Sequence, residues 1–167
     1  MEERPERIEP SQKMEAEPKR KLRTVIASPS KLRGLRQNLK RHFYGSQEID
    51  VVDTAAISIP QIKTKITKNE PDLLIIDWGE FHPERWKELS GWLYKLRRKR
   101  NMPNTPIFMK GPEDLLPEKV DMLFNQGVTV YIPEQMPKEL LESAIIDFFE
   151  TGKIRNSMAK IAPKKED

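Results

Sequence analysis

The chain has 167 residues, enough for one domain with a real core, and it is polar: 37% hydrophobic, 34% charged, with a formal net charge of +4. No window approaches the roughly 18–20 apolar residues that a membrane span needs, and the opening MEERPERIEP lacks the apolar stretch of a secretory leader, so a cytoplasmic protein is expected. The absence of cysteine excludes disulfides, thiolate metal sites and cysteine nucleophiles, and two histidines, His42 and His82, are too few for a multi-histidine metal centre.

Residues 1–21 carry Pro5, Pro10 and Pro18 among mixed charges and almost no large apolar side chains. Such a composition buries too little to offset the entropy of ordering, and it predicts a disordered tail. RTVIAS, from Arg23, is a first short strand. SKLRGLRQNLKRHF then sets Leu32, Leu35, Leu39 and Phe43 on one helical stripe, with Ser30 as N-cap. IDVVDTA, from Ile49, is a second strand. SIPQIKTKITKNE carries Ile59, Ile62 and Ile66 at helical spacing, with Ser58 as cap and Pro60 in the first turn. DLLIID, ending at Asp77, is a third strand whose unbroken aliphatics predict burial on both faces.

Trp86, Leu89, Leu93 and Leu96 mark a third helix, and TPIFMK a fourth strand. PEDLLPEKVDMLFNQG is a fourth helix closed by Gly127, with Pro117 ending an initial turn or starting the main helix. VTVYIP is a fifth strand. PKELLESAIIDFFETGK is a fifth helix with Leu141, Ala144, Ile145 and Phe148 inward and Gly152 near its end. Residues 153–167, closing in KIAPKKED, read as a basic tail.

Strict alternation of five β–α units predicts an α/β fold, a parallel sheet between two helix layers. The size fits a flavodoxin-like three-layer sandwich with strand order 2-1-3-4-5. Chemistry in such sheets sits at the carboxyl ends of the strands, and Asp77 lies at the end of strand three beside the switch point. The seven glycines are scattered, which argues against a phosphate-cradling loop.

Over roughly residues 22–152 the chain resembles the response-regulator receiver (CheY-like) family. PDLLIIDW is similar to that family's strand-three motif, with Asp77 at the phosphoacceptor position. GVTVYIPEQMPKEL is similar to its strand-five region, with Tyr131 at the switch aromatic. The resemblance implies a two-component signalling module rather than an enzyme.

It also implies helpers for the aspartate: two acids ending strand one, a hydroxyl ending strand four and a lysine ending strand five. Phosphoryl transfer needs its equatorial oxygens neutralised and held in line. Those positions hold Ser28 and Pro29, then Lys110, then Glu134 with Gln135 where a proline is usual. A lone carboxylate is a poor Mg²⁺ site. The expected reading is therefore a pseudo-receiver with a vestigial Asp77, no metal and no cofactor. Lys110 either bridges Asp77 and Glu134 or points to solvent.

Such a module works through surfaces. Arg33, Arg36 and Lys40 share one face of the first helix at i, i+3 and i+7, suited to an acidic signalling partner or to plain solvation. Trp78 follows Asp77 as a binding residue or a lid, and Tyr131 is an interface candidate. The face of the fourth helix, fifth strand and fifth helix is a candidate for homodimerisation. Two other functions compete: a working receiver phosphorylated on Asp77 by a histidine kinase, and a nucleic-acid-binding protein using its basic runs. Those runs, including KLRRKR from Lys95, lack interleaved aromatics or a recognition helix, so nucleic acid is not the expected partner.

Overall fold

The unbroken aliphatic runs of the sequence become the centre of one sheet. The computed structural model describes residues 20–28, 40–56, 59–77, 90–91, 93–95, 97, 105–134, 136–156 and 158–163. In chain order these give β1 (Leu22–Ser28), β2 (Ile49–Ala56), α1 (Ile59–Asn69), β3 (Leu73–Asp77), β4 (Ile107–Gly111), α2 (Pro117–Asn125), β5 (Val130–Pro133), α3 (Lys138–Thr151) and β6 (Lys160–Ile161). Residues 40–43 are helical, as are 90–91, 93–95 and 97. The strand order is β2-β1-β3-β4-β5-β6, parallel from β2 to β5, with β6 antiparallel on β5. Among the described residues no helix is long and apolar enough to cross a membrane.

Alternation along each strand divides the core in two. On one face Leu74 and Ile76 of β3 pack with Ile62 and Ile66 of α1, Leu93, and Val120 and Leu123 of α2. On the other, Leu73 and Ile75 pack with Phe43 and with Leu141, Ala144 and Ile145 of α3. β3 is buried along its whole length, which is why its sequence shows no polar alternation. Each fully buried Leu or Ile contributes roughly 1.5–3 kcal/mol. Truncation of Leu74 or Ile75 to alanine, leaving a cavity in the middle of a layer, costs about 2–5 kcal/mol.

Local chemistry sets the element ends. α1 stops where Glu70 takes a positive φ of 45°, followed by Pro71, which lacks the N–H needed to continue a helix. α2 begins at Pro117 and is followed by Gly127 at φ 111°. A Cβ on Gly127 would lie 2.5 Å from Cγ of Arg97, whose guanidinium donates to the Gly127 carbonyl at 2.7 and 3.1 Å. In the pairing of β1 with β2, Thr24 faces Val51 but Val25 faces Asp53, so Val52 is an inserted bulge residue. Asp53 is thereby set beside α1, where it accepts from Lys65 and Asn69, each at 3.1 Å.

The end of the chain departs from expectation. Residues 153–156 and 158–163, read from sequence as part of a basic tail, fold back onto the sheet. Gly152 at φ 76° turns the chain out of α3. Arg155 clamps Asp147 at 2.7 and 3.2 Å, and Ile154, Met158, Ala159 and Ile161 pack against the core of the α3 face. Val130 then pairs with Ile161 and Tyr131 with Lys160, and the Ala162 amide donates to the Thr129 carbonyl at 2.8 Å. Single apolar residues spaced among Lys, Arg and Asn give no strand period. Their order comes from the waiting edge of β5.

Candidate functional site

The carboxyl edge of the sheet collects the residues singled out around Asp77. Asp77 ends β3 and is only 3% exposed. Lys110 of β4 lies directly beside it in the register, and Ile132 of β5 lies on the far side of Lys110. Parallel neighbours in register share a face, so Asp77 and Lys110 leave the sheet on the same side, the side that carries α3. Ser28 ends β1 one residue beyond Ala27, the neighbour of Ile76. Glu134 follows β5, exposed, with its amide bonded to the Gly111 carbonyl at 2.7 Å.

No protein-family model and no curated protein matches the chain. Solved structures do. The signal receiver domain of the response regulator NarL from Mycobacterium tuberculosis superposes with a TM-score of 0.60 at 18% identity, covering 80% of this chain and 99% of that one. The receiver domain of the stress response regulator RcsB from Escherichia coli gives 0.61 at 13% identity, covering 81% and 97%. The chemotaxis protein CheY4 of Vibrio cholerae gives 0.56 at 18%, covering 75% and 97%. The fold is that of a receiver domain. Its sheet carries one strand beyond the expected five, the antiparallel β6.

On this receiver fold the described side chains at the carboxyl edge offer few hard-oxygen ligands for a divalent cation. Mg²⁺ takes hard oxygen ligands in octahedral geometry, usually from one or more carboxylates together with water. Among the described side chains the edge offers Asp77 with an ammonium-bearing neighbour, Lys110. Among the described residues no group of three or more His, Asp or Glu is placed to hold a metal ion.

Of the two arrangements expected of Lys110, a bridge to Asp77 and Glu134 or a side chain pointing to solvent, the ion pairs among the described residues include no bridge. Those pairs are Arg20–Asp72, Lys65–Asp53 and Arg155–Asp147. Glu134 stands in water beyond the strand while Asp77 is buried, so one ammonium would have to give up solvent to serve both. Desolvation of that kind often cancels what such a pair returns.

Tyr131, expected as an interface residue, is buried at 3% exposure on the α1–α2 face. Its hydroxyl donates to the Pro112 carbonyl at 2.5 Å. Burial pushes the phenol pKa well up, and the nearby Asp114 and Glu134 carboxylates push it further. Gly111 makes room for the ring, since a Cβ there would lie 2.8 Å from the Tyr131 hydroxyl. Sequence reasoning missed Gly111 and Pro112. The signal was a Gly-Pro pair at the mouth of a strand, where close approach of another side chain is a recurrent reason for glycine.

Of the remaining candidates, Lys40 is exposed and lines a hollow with Lys21, Tyr44 and Asp50. Pro29, Arg33, Arg36 and Trp78 lie outside the described residues.

Proposed function

We propose that the chain is a pseudo-receiver, a cytoplasmic signalling module that keeps the receiver fold and acts by protein–protein contact without phosphorylation of Asp77. The observation that carries this reading is the company Asp77 keeps: Lys110 beside it, Ser28 ending β1 and an acid, Glu134, following β5. An acyl phosphate needs cations around its oxygens to form and to hold. Here the carboxylates for a metal are too few, and the residue after β5 carries the sign of the incoming group. The module is no enzyme on this reading. Its partners are signalling proteins that dock on the basic end near Lys40 and Arg41 or on the face of α2, β5 and α3.

One observation favours a working receiver instead. Lys110 sets a cation next to Asp77, from β4 rather than β5. The two readings separate in a partner-capture experiment with wild type, Asp77→Asn, and the charge reversal Arg33→Glu/Arg36→Glu/Lys40→Glu. The pseudo-receiver reading expects Asp77→Asn to retain the captured partners and the biological output. Loss of both in Asp77→Asn alone, with the charge reversal silent, hands the function to phosphorylated Asp77. Removal of every captured partner by nuclease makes the chain a nucleic-acid-binding protein.

A further inference from the structure

The folded-back C-terminal segment builds a feature that the five-unit receiver fold would lack. Between α2 and this segment runs a groove of about 210 Å³. Leu115 and Val120 form one wall, Tyr131 and Pro133 the floor, Met158 and Lys160 the other wall. Pockets for drug-sized ligands run to ~300–1,000 Å³, so this one has room for a side chain or two of a larger partner.

The rim is acidic on balance. Glu113 and Lys160 both line the groove, and the exposed Asp114 and Glu134 lie near its Tyr131. The ion pairs among the described residues involve none of these three carboxylates. Asp114 and Glu134 are close enough to Tyr131, at the groove floor, to act on its phenol. The balance of charge disfavours nucleic acid as the occupant. It also disfavours a second copy, because a two-fold interface sets a patch against itself and these acids would face each other.

We propose that this groove docks a basic amphipathic segment of a partner protein, seating an apolar side chain against Leu115, Val120 and Met158 and its lysines and arginines against Glu113, Asp114 and Glu134. The proposal deepens the pseudo-receiver reading and rests on it for the claim that docking needs no phosphorylation. Steering by the rim makes association salt-sensitive, and the apolar seat gives the bound state its register.

The test uses the full chain and three labelled helical peptides: leucine–lysine, leucine–glutamate, and serine–lysine of the same charge as the first. Binding is followed by fluorescence anisotropy at low and high salt, and its place by amide shifts. The leucine–lysine peptide is expected to saturate, to weaken with salt, and to shift Leu115, Tyr131, Met158 and Lys160. The serine–lysine peptide and the variant Glu113→Lys/Asp114→Lys, both of whose sites are exposed, should each cost about tenfold in affinity. Equal binding of the leucine–lysine and serine–lysine peptides, shifts confined to other surfaces, or a wild-type dimer abolished by the charge reversal would each overturn the groove. A peptide that binds only after beryllofluoride treatment supports the groove and defeats the phosphorylation-independent reading. A peptide that binds in neither state overturns the groove and leaves that reading standing.

Discussion

The two ends of the sheet handle charge in opposite ways. At the amino end, Asp72, just ahead of β3, accepts both oxygens' worth of contact from Arg20 at 2.7 and 2.8 Å and takes the Arg23 amide at 2.9 Å. The Arg23 guanidinium closes the end of α1 through the Asn69 carbonyl at 2.9 and 3.1 Å. Charges there are partners of the backbone and serve the fold. At the carboxyl end, Lys110 and Glu134 flank the same strands and enter no ion pair among the described residues, while packing is tight, with Tyr131 wedged over Gly111. Packed backbone carrying charge outside the described ion pairs suits the proposed docking role. Paired charge is what a structural edge requires.

The largest expected effect attacks the packing of the carboxyl edge. In Gly111→Ala the new Cβ would meet the Tyr131 hydroxyl at 2.8 Å and Cε1 at 3.2 Å, so the ring must leave its bed and its bond to Pro112. Overpacking of this kind costs about 1–3 kcal/mol, read as a lower denaturant midpoint at unchanged slope. A variant as stable as wild type means the tyrosine swings freely and the edge is not rigid. Next comes Asp72→Ala at the amino edge. It strands the part-buried Arg23 amide, at about 1–2 kcal/mol, whereas the exposed Arg20 adds little. Asp72→Asn should restore part of the loss, because an amide oxygen still accepts from the Arg23 amide.

Lys110→Met should change stability by less than about 0.5 kcal/mol at any pH between about 5 and 8. A marked loss toward neutral pH would reveal two carboxylates that Lys110 had been holding apart, and the contrast between the edges would fall. The smallest effect concerns the C-terminal segment. The hydrogen bonds from Arg155 hold the Asp147 carboxyl below its ordinary 3.8. A depressed folded-state pKa stabilises above the ordinary value and is lost as pH falls through the folded one. The Ile161 and Ala162 amide signals should therefore shift only on acidification below 3.8. Asp53 moves the same way, burial pushing it up but the hydrogen bonds from Lys65 and Asn69 prevailing. Arg155→Leu isolates the Asp147 contribution, and an acid transition unchanged in that variant removes it.

How much of this was legible in the sequence follows from the range of the forces involved. DLLIID declares a buried strand because its neighbours need no specification beyond being apolar. Ile62 and Ile66, and Leu141, Ala144 and Ile145, declare their faces by helical spacing, and both prove buried. Asp77, Lys110 and Glu134 could be brought to one edge by topology alone. Which of its two arrangements Lys110 takes could not be read, since it depends on which carboxylate keeps its water. The inward Tyr131 depends on a hydrogen bond to Pro112 and a missing Cβ, a contact 20 residues apart in chain for Gly111 and Tyr131. β6 was illegible for the same reason: two residues carry no period, and their pairing is dictated by the edge of β5 and by the Arg155 clamp.

The central claim is that the carboxyl edge no longer takes a metal and a phosphoryl group. It is tested most directly by following the backbone amides of Asp77, Lys110, Gly111 and Tyr131 while Mg²⁺ is raised to about 10 mM, a range set by the weak, hydrated binding of sites with few carboxylates, and beryllofluoride is then added. The account predicts no saturable shift at these amides in wild type and none that differs in Asp77→Asn. A saturable response in the low millimolar range, lost in Asp77→Asn, would contradict it.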